Sequence, residues 1–208
     1  MRGVTSIFLA AMCCIAMTAQ DAKKPASAKA ANSAQMQAPQ PAPEMTKLIK
    51  SMAGTWTVTE KHLPNPMMPK GGTGKGMAAL TPGPGNLSLV EKYHSTGAMG
   101  TFNGMGVFWW DAKAGAYRGL WCDNMTPGGC DANGTTKWEG DKLVGNMDMD
   151  VNGQKTAMRF TYSDFKPGSF MMTMEMGPDA NSMKKAMEVT YTKAGGASGA
   201  ATMGKSGQ

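Results

Sequence analysis

The chain has 208 residues, a formal net charge of +6, and 41% hydrophobic residues. Five of its 21 lysines and arginines, but only one of its 15 acids, lie before residue 44 or after residue 193, so the central segment carries 16 minus 14, or +2. Because the basic charge comes mainly from the two ends, it does not support nucleic acid binding. The central segment, 44–193, is long enough to form one domain with a hydrophobic core.

The N-terminus has the pattern of an export signal. Arg2 precedes an apolar run from Val4 to Ala19, which is too short to span a membrane. We therefore expect a signal peptide at 1–19, an exported protein that is periplasmic or secreted, and no transmembrane segment in the mature chain. Cys13 could carry a lipid anchor only if a small residue preceded it, and Met12 stands there instead. A lipid anchor is not expected.

Two segments lack the apolar residues needed for a packed core. Residues 20–43 consist largely of alanine, proline, glutamine, lysine and serine, and residues 194–208 of glycine, alanine and serine. Such compositions predict disorder. The expected organisation is therefore a linker at 20–43, a folded domain at 44–193 and a disordered tail at 194–208.

The domain opens with a short helix that leads directly into a strand. Pro43 suits the first helical turn, and apolar residues from Met45 to Met52 recur at helical spacing. Gly54 is expected to end the helix. Trp56 and Val58 then alternate with threonines, which is the pattern of a half-buried strand.

The remaining sequence predicts about ten strands in simple succession. They are separated by short turn sequences, with no helix long enough for a crossover connection. The fold class is therefore all-β, and the best fit is an antiparallel up-and-down barrel, because closure removes exposed edges. An open sandwich is the alternative. Residues 63–76 are rich in proline and glycine and predict a long loop, whose GGTGKG segment could form a flexible lid at the barrel mouth.

Methionine and aromatic residues alternate along several predicted strands. Phe160 shares one strand face with Met158 and Tyr162. Met172 and Met174 share one face of the next predicted strand. An interior of such side chains is adaptable and suits an apolar ligand of irregular shape. A filled barrel without a cavity is the alternative.

Two cysteines lie in the domain, in the sequence WCDNMTPGGCD. In an exported protein, a pair that brackets a Pro-Gly-Gly turn predicts a disulfide between Cys122 and Cys130. A zinc site would need two more ligands than this motif provides. No metal site is therefore expected there.

The domain resembles two groups of known proteins. Gly54-Thr55-Trp56 after a short helix resembles the opening of lipocalins and related calycin barrels, in which the tryptophan plugs the closed end. The segments GTWTVTEKH, PMMPKGGTGKG, EKYHS, GVFWWD and YRGLWCDNMTPGGC together resemble the exported bacterial domain-of-unknown-function family numbered 1579, over roughly residues 43–193. This resemblance implies a calycin-like barrel and secretion, with no established activity and no catalytic residues.

Several polar residues are placed to face the barrel interior. Glu60 and His62 continue the face of Trp56, Glu91 and Tyr93 share a face of a later strand, and Arg118 is an available partner for a buried acid. Polar recognition of a ligand and a structural ion pair both explain this set. The candidate ligand-binding residues are Trp56, Glu60, His62, Glu91, Tyr93, Arg118, Phe160, Met172 and Met174.

The resulting hypothesis is an exported barrel that binds a small apolar or amphipathic molecule. A second hypothesis is a haem- or metal-binding barrel using His62 or His94, since a related barrel family carries haem on a single histidine. A third is a hydrolase-like enzyme that uses Glu60, Glu91 and Arg118. The sequence itself predicts no catalytic set and no required cofactor, and it leaves the oligomeric state open.

Overall fold

A computed structural model describes residues 38–65, 68–151 and 153–195, apart from the side chains of residues 133 and 151. The predicted signal peptide, most of the linker and most of the C-terminal tail lie outside these residues. The described chain has one α-helix, α1, and one short 3-10 helix at Pro84–Asn86. The elements are α1 (Pro43–Met52), β1 (Gly54–His62), β2 (Gly72–Pro82), β3 (Ser88–Gly97), β4 (Gly100–Asp111), β5 (Ala116–Asp123), β6 (Cys130–Glu139), β7 (Lys142–Val151), β8 (Gln154–Lys166), β9 (Ser169–Gly177) and β10 (Lys184–Lys193).

The ten strands form a closed antiparallel barrel in which each strand pairs with its neighbours in sequence. Closure is made by β1 and β10, which pair from Trp56 opposite Lys193 to His62 opposite Met187. Because every strand has two partners, the barrel leaves no open edge. The predicted all-β up-and-down barrel with a short N-terminal helix is confirmed.

Helix α1 packs its apolar stripe against one end of the barrel. Met45, Leu48 and Met52 are buried, and Glu44 lies in the first turn, where its charge suits the helix dipole. The helix ends at Met52, and Gly54 begins β1. Tyr117 of β5 fixes the helix start, because its hydroxyl donates to the Glu44 carbonyl oxygen over 2.7 Å.

A dense aromatic core lies under this helix. The Trp56 indole Nε1 donates to the Met52 carbonyl oxygen over 2.9 Å, which joins the first strand to the last helical turn. The Trp56 ring meets Phe170 edge to face with centroids 4.8 Å apart, and Phe170 stacks on Tyr191 at 4.3 Å. We call the helix-covered end of the barrel the closed end, and the opposite end the open end.

The predicted loop at 63–76 is too long, because β2 already begins at Gly72. Most of the GGTGKG segment therefore belongs to the barrel wall, where His62 pairs with Gly72 and Glu60 with Gly74, so it is not a lid. The glycines are required because a side chain would overlap neighbouring atoms at two of these positions. A Cβ at Gly74 would overlap the Glu60 carboxylate, and one at Gly76 would overlap the His94 carbonyl oxygen.

The predicted disulfide is confirmed between Cys122 and Cys130, which close the loop between β5 and β6 at the open end. The two adjacent tryptophans of β4 face opposite sides, as alternation requires. Trp110 packs against the core, while Trp109 is 39% exposed on the outer surface. None of the helices in the described ranges is long and apolar enough to cross a membrane.

Candidate functional site

A cavity of about 300 Å³ occupies the barrel interior, on the open-end side of the aromatic core. Its lining reaches exposed residues at the open-end loops, including Met99, which is 39% exposed. The lining is mainly apolar. Its methionine and aromatic side chains belong to Met68, Tyr93, Met99, Phe102, Phe108, Trp121, Met147, Met149, Met158, Phe160, Tyr162, Met172, Met174, Met187 and Tyr191.

Small residues on the inner faces explain why the open-end side is not filled. Gly119, Gly145 and Ser95 lie in the cavity wall at positions where larger side chains would project inwards. The closed end instead has Trp56 and Phe170 at inward positions. Barrels of this size are filled or hollow according to the volume of their inward side chains. The choice of these side chains therefore makes room for a small ligand.

Glu60 is the centre of a buried polar cluster in the cavity wall. Its Oε1 accepts a hydrogen bond from the Tyr93 hydroxyl over 2.6 Å, and its Oε2 lies 3.1 Å from His62 Nε2. Glu60 and Tyr93 are buried, and alternation along β1 turns both Glu60 and His62 inwards. Burial, followed by the hydrogen bond to Glu60, raises the pKa of Tyr93, so its hydroxyl remains a donor.

Glu91 is a second buried carboxyl group in the same wall. Its Oε1 accepts a hydrogen bond of 3.3 Å from the Tyr191 hydroxyl. Burial raises its pKa to about 7, and the Tyr191 bond only partly opposes that effect. Near neutral pH, Glu91 therefore exists in both its protonated and ionised forms.

One oxygen of Glu91 faces the cavity. Tyr191 is the only hydrogen-bond partner of Glu91 in the part of the chain that the structure describes. In the same part of the chain, no fully buried side-chain nitrogen or oxygen lacks a partner. Since Glu91 lines the cavity, its Oε2 must reach the cavity space, where it can accept a hydrogen bond or contact a positive charge.

Two tyrosines surround Glu91 on other strands. Burial raises the pKa of Tyr162 and of Tyr191, and the Glu91 charge raises both further. Both hydroxyls therefore remain protonated over the ordinary pH range. Among the described residues, the cavity wall around Glu91 offers hydroxyl donors but no lysine or arginine.

Seven of the nine candidate residues line the cavity, and the structure brings them together from four strands. They are Glu60, His62, Glu91, Tyr93, Phe160, Met172 and Met174. Whether they bind a ligand stays a prediction.

The other two candidates, Trp56 and Arg118, do not line this cavity. Trp56 is buried in the closed-end core, where it meets Phe170 and the helix. Arg118 lies on the outer side of β5, because its neighbour Tyr117 faces inwards, and its Nε donates to Asp111 Oδ2 over 3.2 Å. Arg118 is therefore no partner for Glu91, and the proposed catalytic set with Glu60 and Glu91 is not assembled.

The two histidines occupy different environments. His94 is exposed on the outer surface, with its Nδ1 2.8 Å from Asn103 Oδ1, so it does not face the cavity. His62 lines the cavity beside Glu60. Over the described ranges, no group of three or more His, Cys, Asp or Glu is placed to hold a metal ion. A haem held by His62 stays a hypothesis.

Three important lining residues were not predicted. Tyr191 shares an inward face with Met187, and this alternation is visible in the sequence. Trp121 lies two positions after Gly119 on β5, and Phe102 lies on the same inward face of β4 as Phe108, so period-two alternation would also have identified both once the inward face of each strand was known. The register shift between β5 and β6 adds its extra residue to β6, because Gly119 lies opposite Gly134 and Trp121 opposite Asp131. The alternation of β5 therefore continues through Trp121.

Together, the fold and the site define a calycin-like barrel with an internal cavity that carries buried carboxyl groups. The sequence matches the family described as "Protein of unknown function (DUF1579)" over residues 40–193, and the chain belongs to this family. The predicted resemblance is confirmed. No match was found among the curated proteins.

Two solved structures share the fold. The S-type phycobiliprotein lyase CPES from Guillardia theta is 10% identical, covers 72% of this chain and 92% of its own, and has a TM-score of 0.52. The protein Rv2717c from M. tuberculosis is 10% identical, covers 75% of this chain and all of its own (100%), and has a TM-score of 0.51. At this identity the likeness concerns the fold alone.

Proposed function

We propose that the protein binds a small apolar or amphipathic molecule inside its barrel. The cavity carries this proposal, because a space of about 300 Å³ lies among methionine and aromatic side chains. Ligand sites are typically concave and mostly apolar, with a few polar groups that fix orientation. Here Glu60, Tyr93 and Glu91 supply those polar groups.

The polar groups explain why an amphipathic ligand is included. Burying a carboxyl group costs free energy unless hydrogen bonds compensate, and Glu91 has a single hydrogen-bond partner among the described residues. A ligand whose polar end reaches Glu91 Oε2 would supply the missing contact. Its apolar body would then lie against the Phe160 ring and against Met172 and Met174, whose flexible thioether side chains adapt to the shape of the ligand.

The binding test is a fluorescence titration with N-phenyl-1-naphthylamine, a neutral apolar dye. Met174→Trp, on the inner face of β9, should fill part of the cavity and weaken dye binding at least about tenfold. The matched control is Thr190→Trp, which adds the same ring to an exposed position on β10. Unchanged dye binding by Met174→Trp, or no binding by the wild-type protein, would refute the proposal.

We also propose that the protein is exported with its disulfide formed. The apolar run after Arg2 supports the signal peptide, and disulfides persist mainly in oxidising compartments. N-terminal sequencing of protein recovered from periplasmic or secreted fractions should find a start near residue 20. A full-length chain confined to the cytoplasm would contradict export.

A further inference from the structure

The charged groups of the cavity wall are almost all acidic. Glu60, Glu91, Asp123 and Asp131 line the cavity with His62, and no lysine or arginine does so in the described part of the wall. Within an apolar cavity, such a charge set disfavours a second anion and favours a cation, because burial weakens solvent screening. The cavity wall therefore favours a positively charged ligand.

The acids differ in how fully they are already bonded. Both oxygens of Asp123 accept hydrogen bonds from residues close to it in sequence, namely Trp121 in β5 and Met125 and Thr126 in the following loop. Glu60 is bonded at both oxygens by Tyr93 and His62. Glu91, with one oxygen facing the cavity, is therefore the acid best placed to contact a ligand cation.

A cluster of aromatic rings lines the same cavity as this acid. Tyr93 meets Phe102 at 5.9 Å and Trp121 at 6.5 Å between centroids, and Phe102 stacks on Trp121 at 6.3 Å. All three residues line the cavity. The electron-rich faces of such rings attract organic ammonium ions, and aromatic cages for quaternary ammonium groups use this chemistry. Acid and aromatic groups therefore favour the same ligand class.

We propose that the cavity selects an organic cation, an ammonium group on an apolar body, over neutral and anionic molecules of the same size. This inference rests on the proposed binding function and names the ligand class. The ammonium group contacts Glu91 and the rings of Tyr93 and Trp121. The apolar body lies along the methionine-lined strands β7, β8 and β9.

The test compares three probes with the same chain: octyltrimethylammonium, octanol and octanoate. Each probe is titrated into protein that holds N-phenyl-1-naphthylamine, and displacement of the dye is measured at about pH 8, where Glu91 is mostly ionised. The cation should bind at least about tenfold more tightly than octanol, and octanoate should bind most weakly. Equal displacement by all three, stronger displacement by octanoate, or none by the cation would overturn the proposal.

Glu91→Gln removes the charge and keeps the side-chain shape. It should weaken octyltrimethylammonium binding at least about fivefold and change octanol binding less than about twofold. Glu139→Gln makes the same charge change at an exposed position of β6 and should change neither. An equal loss of cation affinity in Glu91→Gln and Glu139→Gln, or no loss in Glu91→Gln, would contradict a direct contact between Glu91 and the cation. Glu60→Gln is a second cavity variant, and it should also weaken octyltrimethylammonium binding more than octanol binding.

The pH dependence supplies a readout that needs no variant. Titratable groups face Glu91 from three other strands, namely Glu60 and His62 on β1, Tyr162 on β8 and Tyr191 on β10, with Tyr93 on its own strand. A quaternary ammonium does not titrate, so its affinity should rise as Glu91 ionises between about pH 6 and 8. A pH-independent affinity would contradict the proposal.

The two proposals can fail separately. If the neutral dye binds and Met174→Trp weakens it, but the cation has no advantage over octanol, the cation inference is wrong and the binding function stands. If the dye does not bind at all, the binding function itself is wrong, and the cation inference fails with it.

Discussion

The two ends of the barrel use the same strands for different purposes. At the closed end, β1 places Trp56 and Val58 into a dense core under helix α1. Further along the same face, β1 places Glu60 and His62 beside a cavity. One period-two pattern thus continues through both regions, and only the side chains change.

This difference separates stability from binding. The closed end gains from apolar burial and from the hydrogen bond between Trp56 and the helix. The open end instead buries two carboxyl groups and leaves space unfilled, and both features cost stability. Sites that bind ligands commonly retain such costs, because function requires them.

Trp56→Ala should show the largest effect, since it removes the ring that joins helix, β1 and Phe170. We expect a loss of about 4 kcal/mol in the free energy of unfolding, measured by urea denaturation. Trp109→Ala, at the exposed outer face of β4, is the control and should cost much less. Similar losses in both variants would mean that the closed end is not the main source of stability.

Gly76→Ala should cost about 3 kcal/mol, because the added Cβ meets the backbone of His94 and Ser95, which cannot move aside easily. The control is Gly128→Ala, where nothing lies within 4 Å of the added carbon. The difference appears in thermal or urea unfolding. Equal stability of both variants would restore the flexible-loop interpretation of the glycine-rich segment.

Glu91→Gln should stabilise the protein at neutral and higher pH. A carboxyl group with a raised folded-state pKa contributes stability below its unfolded value of 4.5, and this contribution is lost as pH rises through about 7. Removing the carboxyl should therefore raise the unfolding free energy by about 3 kcal/mol near pH 8 and little near pH 4. The urea-unfolding difference between variant and wild type at the two pH values measures this effect. A pH-independent difference would mean that Glu91 does not titrate in this way.

Replacing Cys122 and Cys130 together by serine should cost about 2 kcal/mol, because the disulfide closes a short loop with a sequence separation of 8. The loss should be seen in urea unfolding under oxidising conditions. Under reducing conditions the wild type should lose the same amount. If the double variant is as stable as the oxidised wild type, the disulfide does not stabilise the open end.

The barrel itself could be predicted from sequence, because alternation and turn spacing report strand number and inward faces directly. Glu60 and Glu91 were placed correctly by this argument, since β1 and β3 alternate without interruption. Arg118 was misplaced, because both faces of β5 carry apolar residues, with Leu120 on the face of Arg118 and Tyr117 on the other. The sequence pattern therefore does not decide which face of β5 points inwards. The same ambiguity explains why Trp121, which shares the inward face of Tyr117, was not among the candidates.

The glycine-rich segment shows a second limit. Glycine predicts loops because its backbone is permissive, but here it is needed because neighbouring groups leave no space for a Cβ. The same limit applies to the cavity, since inner volume depends on how ten strands close, and no local pattern records that volume. Hydrogen bonds such as that from Tyr93 to Glu60 link residues 33 positions apart.

The most direct test of a ligand-binding barrel is native mass spectrometry of the protein, isolated gently from cells that produce it naturally. The wild-type protein should carry an added organic mass that is released on denaturation, and Met174→Trp should lack it. The identity of the released molecule would also show whether it is a cation. If the wild-type protein instead has the mass of the polypeptide alone, as Met174→Trp should, the result would contradict the proposal that the barrel binds a ligand.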